Sequence, residues 1–452
     1  MYQKEKKNGN KDEVVMLTLD MLVPEDHLLR EIDRMIDFEE IYPMVEACYS
    51  DKNCGRPGID PIILIKLVLI QHIYGIRSLR QTVKEVEVNA AYRWFVGLSL
   101  LEPVPHFATI SYAFSKRFPR ELSTQIFEWV LTKAYEKGLI DESVVFVDGT
   151  HVKASANPHK RTRKKIQEKA KSYEKELWKE LNEDRKKHGK KPFDGPNPPK
   201  EREIVSSSTD PESGLFHKGE HKIVFAYAAH TACDRNGYVL ETVVRPGNEH
   251  DSTVFSQVYQ NTAGKFPGIE TVVADAGYKT PAICREVIKD GKNISLPYKR
   301  PMTKKGYLYP KEYAYSEESN SFVCPNGKQL NYTTTNRKGY REYKSHPCDC
   351  VNCPCLHRCT NSKDHTKVLH RHIWQDYLDQ AEKFRLTPEG KESYALRSQK
   401  IERVFADAKE KHGMRYTFYK GLDRVQSWIR LKFAAMNLKK MALWNRRLAL
   451  GM

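Results

Sequence analysis

Hydrophobic positions change their spacing twice along the chain. From Pro61 the string PIILIKLVLIQHIYG is apolar almost throughout, opens on proline and closes at Gly75, which predicts a buried helix. Ser78 reads as the cap of a second helix, SLRQTVKEVEVNAAYRWFVG; Thr109 precedes a third, ISYAFSKRF, and Glu121 to Gly138 makes a fourth. At Val144 the pattern becomes short and β-branched: VVFVDGT predicts a strand covered on both faces that ends in Asp148 and runs on as HVKAS. TVVADAGY, Thr271 to Tyr278, repeats that grammar and ends in Asp275.

Between these strands, HKIVFAYAAHTACD and GYVLETVVRPGN read as two more, joined in hairpin fashion at Arg235 to Gly237. A helix DSTVFSQVYQNTA, capped by Asp251 or Ser252, leads to the Asp275 strand, and Thr280 to Lys289 is the next helix. Strand, strand, strand, helix, strand, helix is the order of a ribonuclease H-like core. The expected fold is therefore α/β (α+β), with an all-helical N-terminal domain and insertions. Residues 1–140 form the helical domain, and 141–156, 206–292 and 388–452 form the core. A basic helical insertion occupies 157–205, and a Tyr-, Lys- and Cys-rich insertion occupies 293–387. Core structure resumes with YALRSQKIERVFADAKEKHG, read as one helix carrying Glu402, and closes with an amphipathic helix, Leu422 to Ala449.

Charge narrows the partner. The 75 Lys and Arg against 58 Asp and Glu leave +17, which favours a polyanion, DNA or RNA, over anionic lipid. The longest apolar run, Ile62 to Ile70, is broken by Lys66 and too short to span a bilayer, and the charged start MYQKEKKNGNKDE shows no signal peptide. Within 157–191 stand fourteen Lys or Arg against six Asp or Glu, with Ile166, Tyr173, Leu177, Trp178 and Leu181 at roughly helical spacing. That predicts one long helix, either a basic arm along DNA phosphates or a solvated helix docked by one stripe. Arg77, Arg80, Lys116, Arg117 and Arg120 make the N-terminal helices either a helix-turn-helix-like DNA reader or a bundle with a basic face.

Candidate chemistry rests on Asp148, Asp275 and Glu402, with 126 residues between each neighbouring pair. Each alone is equally a solvated strand end or helix face. Together they make an oxygen-ligand site for Mg²⁺ or Mn²⁺, and phosphoryl transfer is its natural chemistry. Six of the ten cysteines lie between Cys324 and Cys359, a clustering that suits a structural zinc better than a disulfide framework and points to the cytoplasm. Cys350 and Cys353 have the two-residue gap of a shared ion, and Cys324 and Cys359 can complete four ligands. Cys348, Cys355 and His357 are bystanders or alternates, and the competing reading is a set of reduced thiols in a loop.

DGTHVKA, PGNEHDS, ADAGY, IERVFADAKEKHGMRYTFYKGL and NLKKMA, in this order, resemble bacterial insertion-sequence transposases of the DDE type, in the group with a Tyr-Arg-Glu-Lys signature. DPIILIKLVLIQHIYGIRSLRQ and AYRWFVGL are similar to that family's helical leader. Tyr394 and Arg397 keep the signature's first spacing, and Glu402 and Lys409 its last. Four residues separate Arg397 from Glu402 where the family has three, so either the helix starts after Arg397 or Arg403 takes its place.

The resemblance implies a ribonuclease H-like core binding two Mg²⁺ (or Mn²⁺) ions between Asp148, Asp275 and Glu402, with Asp148 bridging. It implies cleavage at element ends and attack of the freed 3′-hydroxyl on target DNA. Its partners would be double-stranded DNA, as terminal inverted repeats and as target, and a second copy of the chain in the synaptic complex, at the bacterial nucleoid and not at a membrane. Lys409 would hold a phosphate, Tyr394 would orient DNA or simply pack, and the four named cysteines match the family's usual pattern. A metal-dependent nuclease without strand transfer and a non-catalytic DNA-binding protein of the same fold are the alternatives. The latter would have lost an acid, and all three are present.

Overall fold

The computed structural model describes residues 14–49, 58–167, 173–195, 201–218 and 222–449. The charged start of the chain, residues 1–13, and residues 168–172 and 196–200 of the basic segment lie outside them. Contacts divide the chain into two units. One joins Met1–Leu139 to Ala406–Arg415 and Gln426–Met452, and the other joins Ile140–Phe405 to Tyr416–Val425.

In the first unit the apolar string folds as Pro61–Ile73, with proline in the first turn and the Asp60 carboxylate accepting from the Ile62 N–H. Ten of its thirteen residues are buried, and the helices Leu79–Val88 and Ala90–Val96 pack against it. Gly75 follows at φ +65°, where a Cβ would stand 2.5 Å from the Lys411 carbonyl oxygen, so only glycine fits there.

Three expectations in this unit need correction. The helix from Ser78 breaks at Asn89, whose extended backbone ends one helix while its side chain accepts from Tyr92 N–H and starts the next. The third helix begins at Phe107 and not after Thr109, because the His106 ring nitrogen accepts from Ala108 N–H; it then widens into a π turn over Ala113–Arg117. The last helix, Leu422–Ala449, is not a surface amphipathic one: Leu431 to Ala435 are all buried, Lys432 included. A stretch apolar on every side needs cover all round. Residues 406–415 and 426–452 accordingly group with the N-terminal helices, where the sequence pattern had put all of 388–452 with the core.

The second unit is a mixed α/β body. Its strands are β1 (Val144–Lys153), the pair β2 (Arg161–Gln167) and β3 (Glu201–Ser207), β4 (Gly214–Lys218), β5 (Lys222–Cys233), β6 (Val239–Pro246), β7 (Thr271–Ala274) and β8 (Asn293–Ser295). The main sheet runs β4-β5-β1-β7-β8, with β6 beside the second half of β5. β1 pairs antiparallel with β5 and parallel with β7. Val145, Phe146, Val147 and every residue of β7 are buried, as a strand covered on both faces requires. Each of the valines and Phe146 contributes about 1.5–3 kcal/mol by its burial. The helix Phe255–Lys265 packs on β5, β6 and β1, and Gln375–Leu386 and Pro388–Leu396 pack on β8.

Here too the sequence reading shifts. Asp148 lies inside β1 and not at its end. The single long basic helix is instead the strand β2, a helix over Glu174–Lys187 and the strand β3, with β2 and β3 paired antiparallel and Lys165 opposite Glu203. Of the directly opposed pairs in this ladder, Lys165 and Glu203 alone carry unlike charge, an arrangement that favours pairing modestly. The helix docks through Asp184, which is buried and bonds to Thr335 and Arg341. The ends of the 293–387 insertion belong with the main sheet, as β8 and the helix Gln375–Leu386. Its middle is a second, antiparallel sheet of β9 (Ala314–Ser316), β10 (Ser321–Val323), β11 (Gln329–Thr335), β12 (Tyr340–Ser345) and β13 (Val368–His372), around Leu308, Tyr313, Leu330 and Tyr343. Among the described residues no helix is long and apolar enough to cross a membrane.

Candidate active site

The register of two parallel strands builds the site. β1 and β7 pair from Val144↔Thr271 to Val147↔Ala274, so Asp148 and Asp275 are the next residues on neighbouring strands, about 4.8 Å apart by strand spacing. Beyond this point β1 continues beside β5, with one parallel bridge from Lys153 to Tyr416 at its end, and a crevice at the carboxyl end of parallel strands is where α/β sheets bind ligands. Asp275 leaves its strand and caps the turn Ala276–Tyr278, accepting from Gly277 N–H at 2.8 Å. Asp148 Oδ1 accepts from Gly149 N–H at 2.8 Å.

Glu402 arrives on the helix Ile401–Glu410, and the continuous helix expected here is in fact broken. Pro388–Leu396 ends in a 3₁₀ turn over Arg397–Gln399, and Lys400, at φ −106° and ψ −86°, separates it from the Glu402 helix. Of the two alternatives for the extra residue, the structure shows the first: the helix starts after Arg397. The turn absorbs the insertion and aims the guanidinium inward, Nη2 to Asp148 Oδ2 at 2.5 Å and Nη1 to Glu402 Oε1 at 2.6 Å. Arg397 and Asp148 are nearly buried, with side chains 14% and 13% exposed, while Glu402 is half-exposed.

The electrostatics follow from this packing. Burial pushes the Asp148 carboxyl up to about 6, against the pull of Arg397 and the Gly149 N–H and with help from Asp275 and Asp251. Burial likewise raises the half-buried Tyr394 phenol, which feels Arg397 and all three acids and so faces this cluster. Arg403 is exposed, and Lys409 lies seven residues beyond Glu402 on the same helix.

Three side chains at the site were not singled out from sequence. Asp251, expected as a helix cap, sits in a 3₁₀ turn, Asp251–Thr253, that is itself capped by the His250 ring; the helix proper begins at Phe255. That turn packs against Ala276–Tyr278. His230, opposite Gly149 in the β1–β5 register, is buried, with Nδ1 3.6 Å from Asp251 Oδ1. Tyr278 is fully buried, and its hydroxyl has no hydrogen-bond partner. Asp251 belongs to PGNEHDS, a string already picked out, but strand and helix periodicity carried no signal that it would reach the other acids.

An all-oxygen donor set of carboxylates suits a hard divalent cation. Arg397 shows that a cation is already accommodated between Asp148 and Glu402. Among the described residues no three His, Cys, Asp or Glu side chains stand in ligand geometry as the chain is arranged.

Cys324, Cys350, Cys353, Cys355 and Cys359 line one cavity of about 20 Å³, so the four cysteines named from sequence converge, with Cys355 as a fifth. Four of these thiols are hydrogen-bonded within the chain: Cys324 accepts from Lys328 N–H and Cys353 from the Asn326 amide, Cys359 meets the Tyr313 hydroxyl, and Cys350 donates to Ser345 Oγ. Cys348 is exposed, and neither it nor His357 lines the cavity.

Residues 323–442 match the family model of the transposase DDE domain, and residues 17–116 match a transposase domain of the DUF772 type. The first match contains Tyr394, Arg397, Glu402, Lys409 and the cysteine cluster, and the two together support an insertion-sequence transposase. No curated protein matches the chain. Among solved structures, the crystal structure of the Mos1 mariner paired end complex with Mn is similar at 11% identity and a TM-score of 0.17. That likeness covers 58% of this chain and 66% of that one, under two thirds of its length, and at this score it carries no argument.

Proposed function

We propose that the chain is a DNA transposase of the Tyr-Arg-Glu-Lys group, whose ribonuclease H-like core cuts the ends of an insertion element and joins the freed 3′-hydroxyl to target DNA. The observation that carries this reading is the placement of Asp148 and Asp275 side by side, each directly after the last parallel pair Val147↔Ala274, with Glu402 tied to Asp148 through Arg397. The strand order, antiparallel β6-β5-β1 and then parallel β7 and β8, supports the core assignment. The two family matches support the transposase.

In this reading Asp148, Asp275 and Glu402 hold two Mg²⁺ or Mn²⁺ ions. Such a pair activates an attacking oxygen and stabilises the leaving one at phosphorus. Arg397 gives up its place between the acids to turn toward DNA phosphate, and Arg403, exposed next to Glu402, offers a second cation on the same side. Tyr394 borders the acids and packs the scissile strand. Lys409 holds a more distant phosphate, in keeping with the +17 excess of charge. Cys324, Cys350, Cys353 and Cys359 hold a structural zinc, chemically apart from the carboxylates because thiolates suit zinc and carboxylates suit magnesium. The partner is double-stranded DNA, engaged by a homodimer within the cytoplasm.

The test supplies a duplex ending in the gene's own flanking sequence, pre-cut to leave a 3′-hydroxyl, together with a supercoiled target plasmid and Mg²⁺. Joined product is the expected outcome. Cutting of the uncut duplex with no joining would replace this reading by a metal-dependent nuclease. Binding with neither reaction would leave a DNA-binding protein of the same fold.

A further inference from the structure

We infer that Asp251 is a fourth carboxylate of the divalent-cation site, oriented by the buried imidazole of His230 behind it. The inference rests on the reading of Asp148, Asp275 and Glu402 as that site, and it adds a ligand which neither the Tyr-Arg-Glu-Lys signature nor the three-acid count contains.

Three placements carry it. Asp251 opens a 3₁₀ turn packed on the turn that Asp275 caps, so two acids are held by abutting turns. Its Oδ1 lies directly over Gly149, the residue after Asp148: a Cβ on Gly149 would stand 3.2 Å from that oxygen and 3.2 Å from His230 Nδ1. Glycine at this position thus leaves the room that the carboxylate and the ring occupy. Finally, the turn is capped by His250 and not by Asp251, and the Asp251 carboxylate stands 3.6 Å from His230 Nδ1, beyond hydrogen-bond distance.

Two buried polar side chains point to a ligand and not to a mere cluster of acids. His230 is 1% exposed and neither ring nitrogen is hydrogen-bonded; Tyr278 is 0% exposed and its hydroxyl is unpartnered. Unsatisfied buried donors cost about 1–3 kcal/mol each, so their presence beside the carboxylates needs a reason. Groups that orient metal-binding carboxylates from behind supply one. Burial raises the Tyr278 phenol, and Asp251, Asp148 and Asp275 add to the rise in that order, so its hydroxyl lies within electrostatic reach of all three. Four carboxylates also balance the charge of two dications, whereas three leave an excess.

The experiment measures Mn²⁺ binding to the full chain without DNA, by the loss of the free-ion electron paramagnetic resonance signal. Asp148→Asn reports on the site itself and Asp251→Asn on the new ligand; Thr253→Val, which removes the turn's hydroxyl bond to the His250 carbonyl, reports on mere loosening of the turn. Asp148→Asn and Asp251→Asn should each weaken Mn²⁺ binding about tenfold or more, with Thr253→Val and the charge-preserving Asp251→Glu within about threefold of wild type. Wild-type affinity in Asp251→Asn alongside weakened Asp148→Asn would overturn the inference and leave the three-acid site standing. Equal weakening in Asp251→Asn and Thr253→Val would also overturn it, in favour of a structural role. Unchanged affinity in Asp148→Asn would overturn the underlying reading.

Discussion

Replacing Arg397 with Gln isolates the charge balance of the site. The substitution removes a guanidinium shared by Asp148, 13% exposed, and Glu402, 51% exposed. The Glu402 half of the contact is close to solvent and worth under about 1 kcal/mol. The Asp148 half is buried, and breaking such a pair costs about 3–5 kcal/mol when the stranded charge has no outlet. Asp148 has one, because its carboxyl already titrates near 6 and loses a lowering influence in the variant, so protonation relieves part of the loss. The net destabilisation should be about 2–3 kcal/mol at pH 8 and smaller at pH 6, where protonation comes readily. Urea denaturation in EDTA at both pH values measures it. Added Mn²⁺ should restore most of the lost stability at pH 8, since a dication bound only by the folded chain replaces the missing charge. A variant as stable as wild type at pH 8 in EDTA, or equally destabilised with and without Mn²⁺, would refute the reasoning.

Further expectations follow from the same physics. Protein purified without a histidine tag should carry about one zinc per chain, lost in a Cys350→Ser, Cys353→Ser double variant; metal-free protein with its second sheet intact would rule the zinc out. His230, His372 and His412 are buried, and burial pushes each down to about 4. The unfolded chain takes up their protons near 6.5, so their contribution is complete above that pH and is lost as pH falls toward 4, at roughly 1.4 kcal/mol per pH unit for each. Denaturation midpoints between pH 7.5 and 4.5 should show this, with a shallower slope in His372→Gln; an identical slope would contradict it. DNA affinity should fall steeply with salt because each neutralised phosphate releases counterions, and a flat log-log plot would remove the phosphate-binding role of the basic residues.

What could be seen in the sequence was whatever a short window encodes. VVFVDGT and TVVADAGY are apolar runs ending in an acid, and they fold as adjacent parallel strands. Proline at position 61 and glycine at 75 bracket the helix between them because fixed φ and positive φ are local demands. What escaped depended on tertiary contacts. The three residues of β8 gain their identity only from pairing with β7, and those of the Arg397 turn only from the acids that receive the guanidinium. Lys432 sits in a helix that looks amphipathic on paper, yet it is buried and donates to the His412 carbonyl. Asp251 was visible as an acid but not as a neighbour of Asp275, because turn-on-turn packing leaves no periodic trace.

The central claim is that Asp148, Asp275 and Glu402 act together on DNA phosphodiesters, and single-turnover cleavage by the three isosteric variants tests it most directly. The substrate is a duplex carrying the gene's flanking sequence, with Mg²⁺ present, and the readouts are the rate of 3′-hydroxyl formation and, separately, DNA affinity. Asp148→Asn, Asp275→Asn and Glu402→Gln should each slow cleavage by about a thousandfold or more while binding DNA within a few-fold of wild type, since each removes a metal-binding oxygen and no phosphate contact. Near wild-type cleavage by any one of the three would contradict the account.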